Sequence, residues 1–204
     1  MKLIGMLDSP YVRRVAISLQ YLSLPFAHES VSVFRNFEQF HAINPVVKAP
    51  TLVAGDGTVL MDSTLMLDYA ETLASGKTLM PIDLMSRLRT LSLIGLALAA
   101  CEKSVQLYYE RTLRPEDKRH QPWVDRVTGQ LLAAYGELER EITQQPLSLG
   151  HDINQAGITT AVAWAFTQHV LADVVAATDF PQLAAMSAEA ETLPIFKQWA
   201  LSCV

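Results

Sequence analysis

Every strand signal in this chain falls before residue 62, and from Leu84 onward only helical periodicity remains. A sequence divided in this way cannot run one sheet through its whole length. It has to build a small mixed α/β unit first and an all-helical unit second, each with its own apolar interior.

Residues 2–7 (KLIGML) are short, apolar and strand-like. From Val12 the apolar residues Val12, Val15, Ala16 and Leu19 keep helical spacing, which predicts strand then helix. After Leu24-Pro25, the stretch FAHESVSV alternates as a second strand, and 36–43 forms a short helix stopped by Asn44-Pro45. P50-T-L-V-A54 and T58-V-L-M61 flank Gly55-Asp56-Gly57, residues that accept positive φ, so they predict a hairpin. Asp62-Ser63 then caps a helix running to about Ala74 and ended by Gly76. The order is βαβ followed by ββα. Helical segments follow over roughly 84–112, 120–145, 154–172 and 181–191, with a short one after Pro194. The expected domains are 1–76, a linker 77–83 and a helical domain 84–204.

A hydrophobic content of 50% over 204 residues supports such cores, and a net charge of -5 supplies no basic stripe for nucleic acid. The two cysteines, Cys101 and Cys203, lie far apart without metal-ligand spacing, and the five histidines are scattered. No metal is expected, and a reduced, cytoplasmic compartment fits. The N-terminus lacks the long apolar region of a signal peptide. The most apolar run, 90–101, is closed by Arg89 and Glu102, falls short of the ~20 residues that span a bilayer and reads as a buried helix. No membrane partner is expected.

Chemistry can sit where the first helix begins, at D8-S-P-Y-V-R-R-V15. Ser and Pro together are favoured at a helix start, so Ser9 reads first as a cap. The same helix end carries unpaired N–H groups and positive dipole, which favour an anion such as a thiolate, and a serine hydroxyl can donate to sulfur and lower a thiol's pKa. In K48-A-P50-T-L52, Pro50 either starts an edge strand in trans or, in cis, turns the backbone N–H and C=O of Ala49 toward a peptide-like ligand. Asp62-Ser63 is a helix cap or a clamp, with an acid for an ammonium group and a hydroxyl plus backbone N–H for a carboxylate. Lys48 is solvated or meets another carboxylate. Arg13 and Arg14 are assigned to the polar side of their helix.

The joint order of these motifs resembles the cytosolic glutathione transferase family over nearly the whole chain, in the bacterial branch with S-P-[FY]-V-R-[KR]. The resemblance implies a thioredoxin-like domain with a mixed four-stranded sheet, followed by an all-α domain. It implies glutathione as co-substrate, with Ser9 facing its sulfur, Ala49-Pro50 its cysteinyl backbone, Asp62 and Ser63 its γ-glutamyl end and Lys48 its glycyl carboxylate. It further implies a detoxifying conjugation, with Tyr11, Tyr108 and Tyr109 as candidates to line a pocket for a hydrophobic electrophile, and a homodimer. A cysteine at position 9 would have suited disulfide exchange, which serine cannot perform.

The chain departs from the family at Gly157. A capping-box acid usually stands there, and N154-Q-A-G157 lacks it. The alternatives to a transferase are a non-catalytic interaction scaffold of the same fold and a glutathione-dependent isomerase or peroxidase. For the dimer, the apolar segment 91–100 either faces a second copy or is buried on all sides within its own bundle.

Overall fold

The computed structural model describes residues 1–201, so Cys203 lies outside the described residues. The chain divides into two compact units. One comprises Met1–Leu79 together with the segment from Thr192 onward, and the other Met80–Glu191.

The first unit runs β1 (Lys2–Ile4), α1 (Pro10–Tyr21), β2 (Ala27–Glu29), α2 (Phe37–Ile43), β3 (Thr51–Val53), β4 (Val59–Met61) and α3 (Ser63–Leu73). The sheet has four strands in the order β2-β1-β3-β4, with β1 parallel to β2 and the other two pairings antiparallel. This is the expected thioredoxin-like βαβ–ββα arrangement. Ile4 clusters with Val31 and Phe40 of α2. Its neighbour Leu3, of opposite pleat, is also fully buried, so the sheet is covered on both faces.

Two strands are shorter than their apolar runs. β1 stops at Gly5, whose φ is +137°. β2 stops because the Ser32 hydroxyl accepts from the backbone N–H groups of Phe34 and Arg35, turning the chain away. The β3–β4 turn closes as expected, with Ala54 N–H donating to Thr58 O, Thr58 N–H donating to the Asp56 carboxylate and Gly57 at φ +89°.

The helical unit contains α4 (Leu84–Thr112), α5 (Gln121–Gln144), α6 (Gln155–Leu171) and α7 (Pro181–Thr192), with α4 packed on α5 and α6. α6 is buried along nearly its whole circumference. At its centre the Tyr135 hydroxyl donates to Ala163 O at 3.0 Å and meets Thr167 Oγ1 at 2.6 Å, while Ser104 Oγ reaches the same threonine at 2.7 Å. Burial pushes the Tyr135 phenol pKa up, with the neighbouring Cys101 thiol adding to the shift.

Side chains also close the helix ends. Glu139 accepts the Gln182 and Leu183 N–H groups that open α7, and Arg89 donates to the last carbonyls of α5. Gly157 is explained by its surroundings. Asn154 Oδ1 accepts the Gly157 N–H at 3.0 Å, and a Cβ at Gly157 would stand 3.0 Å from Ile153 Cγ1. The cap is made, and any side chain at 157 would require Ile153 to give by a few tenths of an ångström.

Two expectations are corrected. The domain reading placed 84–204 in the helical unit, but α8 (Pro194–Gln198) belongs to the first unit, where it packs on α1. The apolar segment 91–100 is not buried on all sides by its own bundle either: Leu93, Ile94, Ala97 and Ala100 are buried, but Leu91 is 50% exposed and Ser92 and Gly95 are exposed too, and the turns before it expose Leu84, Met85 and Leu88. By length and composition α4 is the one helix among the described residues that could cross a membrane, although part of it is buried by α5 and α6.

Candidate functional site

Sheet register assembles the candidate residues. Ile4 lies opposite Thr51, and Thr51 opposite Met61, so the three form a row across β1, β3 and β4. The next residues outward are Gly5, Pro50 and Asp62, which leave the sheet at the same end. Three loops carrying Ser9, Lys48-Ala49 and Asp62-Ser63 are therefore neighbours, although the sequence spreads them over more than fifty positions.

The approach of the first two loops is close enough to require glycine. A Cβ on Gly5 would stand 2.6 Å from Val12 Cγ2 and 3.2 Å from Ala49 Cβ. From Gly5 the chain passes Met6 to Ser9, whose N–H donates to Met6 O and whose carbonyl accepts the first helical bond from Arg13 N–H. Ser9 is the N-cap of α1 and Pro10 follows at the first helical position. The cap bond is long, with Val12 N–H 3.5 Å from Ser9 Oγ. At that length it contributes little, and the half-buried hydroxyl keeps its proton for another acceptor.

The Ala49–Pro50 bond is cis. Its loop is braced from behind, where buried Asn44 donates to Thr51 Oγ1 at 2.8 Å and Thr51 Oγ1 donates to Lys48 O at 2.8 Å. The Lys48 side chain is exposed and Ala49 is half-buried.

Asp62 has φ +72°, a left-handed conformation uncommon outside glycine but tolerated by Asp. Its Oδ1 accepts from Thr64 N–H at 2.8 Å and Leu65 N–H at 3.4 Å, which makes it the N-cap of α3. The side chain stays exposed. Ser63 beside it is buried, and Arg14 Nη1–H donates to Ser63 Oγ at 2.9 Å and to Thr64 Oγ1 at 3.3 Å. A guanidinium thus stands behind the start of α3, where the helix dipole is already positive.

Arg14 and Arg13 are 1% and 0% exposed, against the expectation that they lie on a polar face. Ile17 and Ser18, one turn further along the same side of α1, are equally buried and were the signal that this face is covered. Of the remaining candidates, Tyr11 is half-buried in the first turn of α1. Tyr108 and Tyr109 lie late in α4 of the other unit, with their rings 6.1 Å apart. No cluster of metal-ligating side chains occurs among the described residues.

Residues 3–78 match the family model for the glutathione S-transferase N-terminal domain. The chain is 29% identical over 97 residues to an uncharacterized GST-like protein of Escherichia coli K12, YibF, covering 48% of each. It spans about half the length of that curated relative, or less for a second, glutathione S-transferase U4 of Arabidopsis thaliana, at 26% identity and 37% coverage.

Solved structures match over nearly the whole chain. A glutathione transferase family member from Pseudomonas fluorescens Pf-5 with bound S-(propanoic acid)-glutathione is 29% identical, covers 97% of each chain and gives a TM-score of 0.81. A glutathione S-transferase from Methylobacterium radiotolerans in complex with glutathione sulfonate reaches a TM-score of 0.89 at 23% identity, covering 100% of this chain and 97% of that one. The chain shares the fold of these solved transferases, a thioredoxin-like domain with a four-stranded mixed sheet followed by a helical one.

Proposed function

We propose that this chain is a cytoplasmic glutathione transferase that conjugates glutathione to a hydrophobic electrophile. The observation carrying the reading is the row Ile4, Thr51 and Met61, which delivers the starts of α1 and α3 and the Ala49–Pro50 loop to one end of the sheet. Two helix N-termini and a backbone segment meeting there suit a peptide with carboxylates and a thiol. The neighbours solved with glutathione derivatives support the same ligand class.

In this reading Asp62 takes the γ-glutamyl ammonium, while the Ser63 hydroxyl and N–H take the adjoining carboxylate. Ala49 pairs with the cysteinyl backbone and Lys48 meets the glycyl carboxylate. Ser9 donates a hydroxyl hydrogen bond to the sulfur, favouring thiolate over thiol at the positive end of α1. The thiolate is the nucleophile, so the protein's task is to position and stabilise it for attack on the electrophile.

The protein works as a homodimer through α3 and the long helices. The exposed Leu65 on α3 and the run Leu84, Met85, Leu88 and Leu91 on α4 support this, since such apolar surface calls for a cover. Sedimentation equilibrium tests it: a particle near 22.6 kDa, the mass of one chain, rejects the dimer.

The activity itself is tested by retention on immobilised glutathione followed by turnover with a panel of electrophiles. Retention with turnover is expected. Retention without turnover of any electrophile rejects the transferase, and no retention rejects the ligand.

A further inference from the structure

Two exposed cations, Lys48 and Arg35, stand beside the candidate site, and the proposed ligand uses only one of them. Glutathione carries two carboxylates, which the reading above gives to Ser63 and to Lys48. Arg35, on the loop between β2 and α2, is left over. Its place is fixed from both sides. Behind it, the Ser32 hydroxyl accepts from Phe34 N–H at 3.2 Å and from Arg35 N–H at 3.1 Å. Asn36 N–H donates to Ser32 O at 3.1 Å and Ser32 N–H donates to Asn36 Oδ1 at 3.3 Å, so the turn carrying Arg35 closes on itself. In front of it, Arg35 Nη2–H donates to Met6 Sδ at 3.4 Å, and Met6 O accepts the Ser9 N–H at 3.2 Å. A single residue, Met6, links the guanidinium to Ser9.

The contact with Met6 leaves most of the guanidinium's capacity open. A thioether is a weak, uncharged acceptor, and it engages one N–H of a fork whose geometry matches a carboxylate. Among the described residues no carboxylate lies within ion-pair distance of Arg35, and no other side chain or carbonyl accepts from its guanidinium. An arriving anion can therefore take the fork without displacing a stronger partner. The residues around it are apolar: Phe34 before it is exposed, as is Phe37 at the start of α2. A cation between two rings, beside the residue that holds Ser9, suits an apolar molecule with one anionic end.

We propose that Arg35 selects electrophiles that carry a carboxylate, binding that group through its fork while the thiolate attacks the electrophilic carbon. This rests on the glutathione reading and deepens it by giving the electrophile a charged end as well as an apolar body. With a 4-(chloromethyl)benzoate, a sulfur lone pair forms the C–S bond at the chloromethyl carbon and chloride leaves with the C–Cl electron pair. The thiol proton has passed to solvent when the thiolate forms, and the carboxylate is unchanged throughout. Arg35 holds the electrophile and takes no part in bond making.

The experiment is calorimetric binding, in the full chain, of two conjugates that differ in charge at one group: S-(4-carboxybenzyl)glutathione and S-(4-methoxycarbonylbenzyl)glutathione. Unmodified glutathione is the control. The parent should bind the acid roughly tenfold more tightly than the ester, more than an exposed ion pair yields and less than a buried one. Arg35→Gln should abolish that preference, Arg35→Lys should keep part of it and Arg35→Glu should reverse it. Affinity of Arg35→Gln for unmodified glutathione should change less than twofold.

Equal affinity of the parent for the two conjugates overturns the proposal. So does an acid preference that survives in Arg35→Gln or, should that variant fail to fold, in Arg35→Glu. If Arg35→Gln loses affinity for glutathione and both conjugates alike, the proposal is also overturned, because Arg35 is then a contact of glutathione's own carboxylate. If the parent binds neither glutathione nor a conjugate, the functional reading falls and takes the proposal with it, and the glutathione control identifies that case.

Discussion

Replacing Asp62 by asparagine separates the two tasks given to that residue. The carboxylate caps α3 through Oδ1 alone, accepting from Thr64 and Leu65, and sits at φ +72°. Asparagine supplies the same acceptor and tolerates the same backbone, so α3 should keep its cap and stability should change by less than ~0.5 kcal/mol. What asparagine lacks is the negative charge for an ammonium group. A hydrogen bond to a charged partner contributes about 1.5–3 kcal/mol, so glutathione binding should weaken by roughly 10- to 150-fold.

Alanine instead removes both functions. It loses the cap, about 1 kcal/mol, and places a side chain with no local hydrogen bond in the left-handed region at a further ~1 kcal/mol. Calorimetric titration with glutathione and denaturant unfolding on the same preparations read the two quantities independently. If Asp62→Asn binds glutathione as tightly as the parent while Asp62→Ala is merely less stable, Asp62 is a cap and nothing more.

Gly157→Asp should destabilise the chain even though it writes a capping box, because its Cβ would press on Ile153 Cγ1 at 3.0 Å and lie 3.4 Å from Ser148 O, an overpacking cost of about 1–3 kcal/mol. A higher melting temperature would refute that. Tyr135→Phe removes a hydroxyl bound to Ala163 O and Thr167 and should cost about 1–3 kcal/mol in denaturant unfolding, with no cost expected if that network is idle. The Ser86 side chain and backbone N–H hold the Asp83 carboxyl below its ordinary 3.8, so its contribution is complete above that value and is lost as pH falls through the lower folded value. Below about pH 4, Asp83→Asn should therefore lose less stability than the parent, and parallel acid profiles would contradict the assignment.

What could be read from sequence was local. The Gly55-Asp56-Gly57 turn, the Asp62 cap and the stop at Asn44-Pro45 each depend on residues within a few positions, and each forms as expected. The candidate site was partly legible for the same reason, since its parts are loop residues beside helix starts. What brings those parts together is register, with Ile4 across from Thr51 and Thr51 across from Met61, and no short stretch carries that.

The burial of Arg13 was hidden because its partners, Phe196 and Trp199, lie 183 and 186 positions away on a helix assigned by order along the chain to the other unit. Arg14 was hidden likewise by Ser63 and Thr64, 49 and 50 positions on. Two adjacent arginines read as a polar face until the segments that cover them are placed.

The central claim is that Ser9 holds a thiolate at the start of α1, and titrating bound glutathione in the parent and in Ser9→Ala tests it most directly. The existing cap bond is 3.5 Å long, so alanine should leave folding and overall affinity almost unchanged. Losing the hydroxyl donor should raise the thiolate midpoint toward the ~8.5 of a free thiol. Identical absorbance titrations in the two proteins would contradict the account and leave Ser9 as a helix cap.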